Sequence, residues 1–256
     1  MHIVDKTEDI KTGVEYMKIE HVKIYVKSYP ERHEVLFSGL KFVDFIECVP
    51  TIENILLLKD NFYKAEKSWS KFNLVEGGDQ IAKLMLDDIY NYGDFCFVDY
   101  ADISLINQIN DEQIAELLYL SHMFKPLKSP FFEVLQNRFA YLAHDDGWYC
   151  KLYCKDQQVP ISMVMNKLQK SIKNAFVANL PSLPENSDEE IFKLSTGGLL
   201  IELDFSTQKE KVSIKNNVAE MAILKFYEVG EYKDMDVLFN NLEQIKPQIS
   251  FELKPS

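Results

Sequence analysis

Residues 137–155, NRFAYLAHDDGWYCKLYCK, contain the strongest local signal in this chain. Asp146-Gly147 suits a type I′ turn, in which both central residues need positive φ. With that turn Ala143 faces Cys150, Tyr141 faces Leu152 and Phe139 faces Cys154. One side of the hairpin then collects Phe139, Tyr141, Ala143, Cys150, Leu152 and Cys154, all apolar. The other side collects Arg138, Ala140, Leu142, His144, Tyr149, Lys151, Tyr153 and Lys155. A slip of one residue would invert both sets, so the pattern itself specifies the register.

The same geometry governs the cysteines. On one strand, Cys150 and Cys154 stand about 13 Å apart at roughly 3.3 Å per residue. Two thiolates on one zinc must each lie about 2.3 Å from it. The strand reading therefore makes them buried structural thiols, and Cys96 and Cys48 read the same way. At the tip, Asp145 and Asp146 read as turn residues whose carboxylates bond nearby amides. His144 beside them offers a cation-binding or acid–base alternative. Trp148 is either a partner anchor or a lid over the core.

Outward from the hairpin, residues 95–98 are apolar on both faces, which predicts a central buried strand. Asn110 opens a helix in an N-x-x-Q frame ending at Gln113. Its stripe is Ile114, Leu117 and Leu118, with Asp111, Glu112 and Glu116 outward. Upstream, 21–27 alternates as a half-buried strand, and 33–43 reads as a strand region broken at Ser38-Gly39. Thr51 caps a short helix through Leu58. Residues 62–72 read as helical, and a better helix spans about 78–90. Pro126 and Pro130 bracket a possible subdomain boundary near 125–130 in what reads as one domain over 1–256, and Ser129-Pro130 opens a short helix.

Downstream, the pattern predicts a helix over 161–176, in which Met163, Met165 and Phe176 serve packing, and a capping box over 187–190. Ser195 to Gly198 reads as a turn, because a strand rather than a helix N-terminus follows. Strands are expected over 199–205 and 211–214, then helices around 218–228 and 237–245. A last strand places Ile249, Phe251 and Leu253 on one face. Helices and strands alternate without a βαβ rhythm. The class is α+β, a mixed or antiparallel sheet with hairpins and with helices packed on it.

The chain has 256 residues, 46% apolar and 27% charged, which is enough bulk for a packed core and excludes general disorder. Net charge is −12, and only Arg32 and Arg138 among the 28 basic residues are arginines. Nucleic-acid binding needs a positive face, and phosphate favours the guanidinium fork, so no nucleic-acid partner is expected. Arginine scarcity also argues against recognition through guanidinium forks in general. The charge disfavours an anionic membrane surface, no apolar run approaches a spanning length, and residues 1–11 carry no apolar leader segment. Four cysteines are too few for a disulfide scaffold. These features predict a cytoplasmic protein with reduced thiols and no membrane partner. No phosphate loop, nucleophile elbow or zinc motif occurs, and no cofactor is expected.

The charge is unevenly placed. Residues 84–124 form a run of 41 without a lysine or arginine. They hold eight acids: Asp87, Asp88, Asp94, Asp99, Asp102, Asp111, Glu112 and Glu116. If the two helices pack side by side, Asp87, Asp88, Asp111, Glu112 and Glu116 form a negative surface that speeds encounter with a basic protein. A solvated acidic face is the alternative. Asp99 directly follows the buried strand and Asp102 lies three residues on, a position suited to metal ligation or acid–base chemistry in open parallel sheets. Two functional expectations result. The first is a non-enzymatic acidic interaction or regulatory module for a basic protein. The second is a metal-assisted hydrolase using Asp99 and Asp102, with His144 or His122 nearby.

Overall fold

The computed structural model describes residues 21–37, 42–49, 51–60, 67–86, 95–143, 149–176, 179–206, 219–232 and 244–254. Among them, eleven strands form one sheet. In chain order they are β1 (Val22–Ser28), β2 (His33–Phe37), β3 (Asn54–Asp60), β4 (Lys67–Trp69), β5 (Phe72–Glu76) and β6 (Phe95–Asp99). Then come β7 (Phe139–Ala143), β8 (Cys150–Cys154), β9 (Leu199–Ser206), β10 (Met221–Glu228) and β11 (Ile249–Leu253). The spatial order is β11-β10-β9-β1-β2-β8-β7-β6-β3-β5-β4, and every neighbouring pair is antiparallel. The helices are α1 (Phe42–Ile46), α2 (Gly78–Leu86), α3 (Ile103–Ile106), α4 (Asp111–Met123), α5 (Gln158–Ala175) and α6 (Ser187–Ser195). The α+β expectation holds, in its antiparallel form.

The hairpin sits at the middle of this sheet in the expected register, with Phe139 opposite Cys154 and Ala143 opposite Cys150. Its turn, 144–148, lies outside the described residues. Burial is two-sided. Phe139, Tyr141, Cys150, Leu152 and Cys154 join the larger core, beneath α1, α2, α5 and α6. Ala140, Leu142 and Tyr153 join a second core on the opposite face, capped by Ile106 of α3, Leu117 and Leu120 of α4, and Phe132 and Leu135. Helices on both faces explain why β6 and β7 are buried along their whole length. At the other end of that second face, Tyr25, Leu36, Leu200 and Tyr227 pack with Tyr232 and Ile245.

The larger core has an aromatic centre. Phe42 of α1 meets Phe95 and Phe97 edge-on, with centroids 5.3 and 5.5 Å apart, and Phe45 meets Phe139 at 5.6 Å. Such pairs each contribute about 0.5–1.5 kcal/mol beyond area burial, which offsets the weak helix-forming tendency of a five-residue segment. The turn from α6 into β9 makes a close backbone approach. Gly198 adopts φ +88°, and a Cβ there would lie 2.1 Å from the Gly230 carbonyl oxygen.

Several local expectations are corrected. Residues 54–58 are strand β3, not a helix capped by Thr51: Ile55 and Leu57 face one core while Leu56 and Leu58 face the other. A short apolar run buried on both sides reads identically for either element until neighbours are known. The helix expected around 218–228 is β10, where Ala222, Leu224 and Phe226 alternate into the core. Of the helix expected over 62–72, residues 62–66 lie outside the described residues, 67–69 are strand β4, and Phe72 begins β5, which pairs with β4 as a hairpin. The capping box at Ser187 is absent although the helix forms; Asn186 is the cap residue, and the Ser187 hydroxyl donates to the Pro184 carbonyl. After Ser129-Pro130 the chain makes only a 3-10 turn, Glu133–Leu135. Residues 211–214 and 237–243 lie outside the described residues.

Candidate functional site

The buried interior strand β6 ends on Asp99, which is 4% exposed. Its ladder with β7 runs from Phe95 opposite Ala143 to Val98 opposite Ala140. Beyond that last pair the Asp99 carboxylate replaces backbone as acceptor. Its Oδ1 takes the amides of Arg138 at 2.8 Å and Phe139 at 2.7 Å, and Oδ2 takes Arg138 Nε at 3.1 Å. Arg138 Nη2 reaches across to the Thr51 carbonyl at 3.0 Å. Burial pushes the Asp99 carboxyl above its ordinary range, and the two amides and the guanidinium pull it the other way.

The chain approaching Arg138 is held rigidly. Asn137 is fully buried; its Oδ1 accepts from the Phe132 amide at 2.6 Å, and its Nδ2 donates to the Pro130 and Phe139 carbonyls. Gln136 sits in the left-handed region at φ 55°. Opposite, the Tyr100 amide donates to Asn54 and the Asn54 side chain returns to the Tyr100 and Ala101 carbonyls. Between these two walls lies a cleft of about 380 Å³, lined by Thr51, Glu53, Asp99, Tyr100, Ala101, Gln136 and Arg138. Glu53 and Gln136 are exposed at its rim. The Tyr100 hydroxyl is buried without a hydrogen-bond partner among the described residues, and burial raises its pKa.

Asp102 is turned to a different task. It caps α3, accepting the Ser104 amide at 2.8 Å and the Ser104 hydroxyl, which together hold its carboxyl below the usual range. Asp99 thus faces β7 donors and Asp102 faces the first turn of α3. Among the described residues no group of three or more His, Cys, Asp or Glu is arranged to hold a metal ion.

The acidic run is divided as well: α2 packs on the larger core and α4 on the second, so the two helices lie on opposite faces of the sheet and not side by side. Asn110 and Gln113 form the expected reciprocal cap of α4. Asp111 and Glu112 are exposed in its first turn, where the helix dipole favours negative charge. Lys128, just beyond the run, folds back to Glu112 at 2.7 Å and Glu116 at 3.0 Å, lowering the Glu112 pKa. Asp87, Asp88, Asp94, His144 and Trp148 lie outside the described residues. Cys96, Cys150 and Cys154 are buried and Cys48 is half-buried; burial pushes the Cys150 thiol up to about 12, and Cys154 well above its ordinary value.

The sequence placed Asp99 at a strand end but not its bond to Arg138, 39 positions away; it offered Thr51 only as a helix cap and gave Glu53 no role. The usable signal was the hairpin register, which sets Arg138 just ahead of β7. Fold and site together define an α+β protein, an eleven-stranded antiparallel sheet with a polar cleft at the end of the interior strand β6. No family description, curated protein or solved structure matches the chain. No described helix is long and apolar enough to cross a membrane.

Proposed function

We propose that this chain is a protein-interaction module that docks a basic protein against its acidic α3–α4 layer. The observation that carries the reading is the charge layout: a net charge of −12, with a run of 41 residues that lacks lysine and arginine and supplies this layer. Asp102, Asp111 and Glu112 stand exposed on it. An acidic surface of this kind raises the encounter rate with a basic partner, and the effect fades as salt shortens the Debye length. Lys128 is the built-in competitor, because it occupies Glu112 and Glu116 in the free protein.

The test is binding of a fluorescent oligolysine peptide, followed by anisotropy across a salt series. The variant D111N/E112Q/E116Q weakens binding about tenfold, or roughly 1.4 kcal/mol, and flattens the salt dependence. The control D188N/E189Q/E190Q on α6 changes little. Lys128→Gln frees two carboxylates and tightens binding. Absence of salt-dependent binding, or equal losses in the α4 and α6 variants, overturns the proposal.

A further inference from the structure

The cleft at the end of β6 is lined by side chains of opposite charge, Arg138 and Glu53. We infer that it binds a small zwitterion of the α-amino acid class, the carboxylate on the Arg138 guanidinium and the ammonium group on the Glu53 carboxylate. This site is independent of the acidic docking surface and does not rest on it.

Three properties of the cleft lead to this ligand class. First, the guanidinium is both held and available. Arg138 Nε is fixed by Asp99 and one Nη2 proton by the Thr51 carbonyl. A guanidinium has five N–H donors, so those facing away from these partners remain for a ligand. With 45% of its side chain exposed, Arg138 opens to the cleft rather than into the core. A planar fork held in place is suited to a carboxylate.

Second, the charge balance selects for both signs. The Arg138 cation is already offset by the buried Asp99 carboxylate, and Glu53 adds a further negative charge. A dianionic phosphate would meet Asp99 and Glu53 with a single cation to compensate it, and a simple cation would meet the guanidinium. A molecule bearing one carboxylate and one ammonium group satisfies both sides.

Third, size and rigidity fit a small ligand. About 380 Å³ lies at the lower end of small-molecule clefts. The walls are fixed in advance by the buried Asn137 and by Asn54, so little ordering cost falls on binding. Gln136 and Thr51 add neutral polar groups along the rim.

The experiment is a titration of the ¹⁵N-labelled full chain with each standard L-amino acid at millimolar concentration, then with the C-terminal amide and N-acetyl derivative of the best binder. The expected result is saturable shifts at the Thr51, Ala101, Gln136 and Arg138 amides, with each derivative bound at least about tenfold more weakly. Glu53→Gln, a change at an exposed side chain, weakens the free amino acid about tenfold and leaves the N-acetyl derivative unchanged. An N-acetyl derivative that binds as well as the free amino acid overturns the zwitterion in favour of a plain carboxylate site. No saturable shift at those amides with any amino acid overturns the site itself.

Discussion

Replacing Asp99 tests whether its carboxylate is the fastener between β6 and β7. In Asp99→Ala the buried Phe139 amide loses its acceptor, at a cost of about 1–3 kcal/mol, and the part-buried Arg138 amide loses about half as much. The Arg138 side chain is 45% exposed, so its ion pair is screened and contributes only about 0–1 kcal/mol. Relief of the buried carboxylate's own desolvation offsets part of the total, leaving a net loss of about 3 kcal/mol at the middle of these ranges. In Asp99→Asn the remaining oxygen still accepts both amides. Its NH₂ meets Arg138 Nε donor to donor, but that guanidinium can turn to water, so the loss is about 1 kcal/mol. Urea unfolding followed by circular dichroism measures both. With a slope near 3 kcal/mol/M, Asp99→Ala lowers the midpoint by roughly 1 M and Asp99→Asn by roughly a third of that. Amide exchange at Phe139 accelerates in the alanine variant and stays protected in the asparagine one. If Asp99→Ala unfolds within about 0.5 kcal/mol of the parent, or if Asp99→Asn is equally costly, the fastener reasoning is wrong.

Two further outcomes follow from the buried polar groups Asn137 and His33. Asn137→Ala removes three hydrogen bonds from a fully buried site and is expected to cost about 3 kcal/mol in urea unfolding, with Asn137→Asp only partly restoring it because two of the partners are carbonyls. His33 is buried with Nδ1 unpartnered among the described residues, and desolvation lowers its pKa against the opposing pull of Asp156. A histidine lowered in the folded state holds fewer protons there than when unfolded. Its contribution is therefore complete above about 6.5 and is lost as pH falls toward the folded value. His33→Gln flattens the stability–pH curve between about pH 7 and pH 5, and parallel curves for parent and variant would refute this assignment.

Much of the frame was legible in the residues alone. The Asp146-Gly147 dipeptide with alternation on both sides specified the β7–β8 register residue by residue, because a slip of one would have put Tyr141 and Leu152 on the other face. The apolar run at Phe95 marked β6 as buried on both faces, and Asn110 with Gln113 marked the start of α4. These features are local: turn geometry, period and capping act within a few residues. What failed was also local in appearance. Ile55 to Leu58 and Ala222 to Phe226 have the composition of either element, and only the strands beside them made them strands.

The cleft was beyond any such reading. Asp99 and Asp102 are three residues apart, yet one turns to β7 amides and the other to the first turn of α3, because the strand ends between them. Arg138, one of only two arginines in the chain, meets Asp99 because β6 and β7 are sheet neighbours. Glu53 joins them because the segment leading into β3 runs along the other side of β6. Local chemistry determines turns, caps and alternation. Which charges end up sharing a cleft depends on strand order, and strand order is a property of the whole packed sheet.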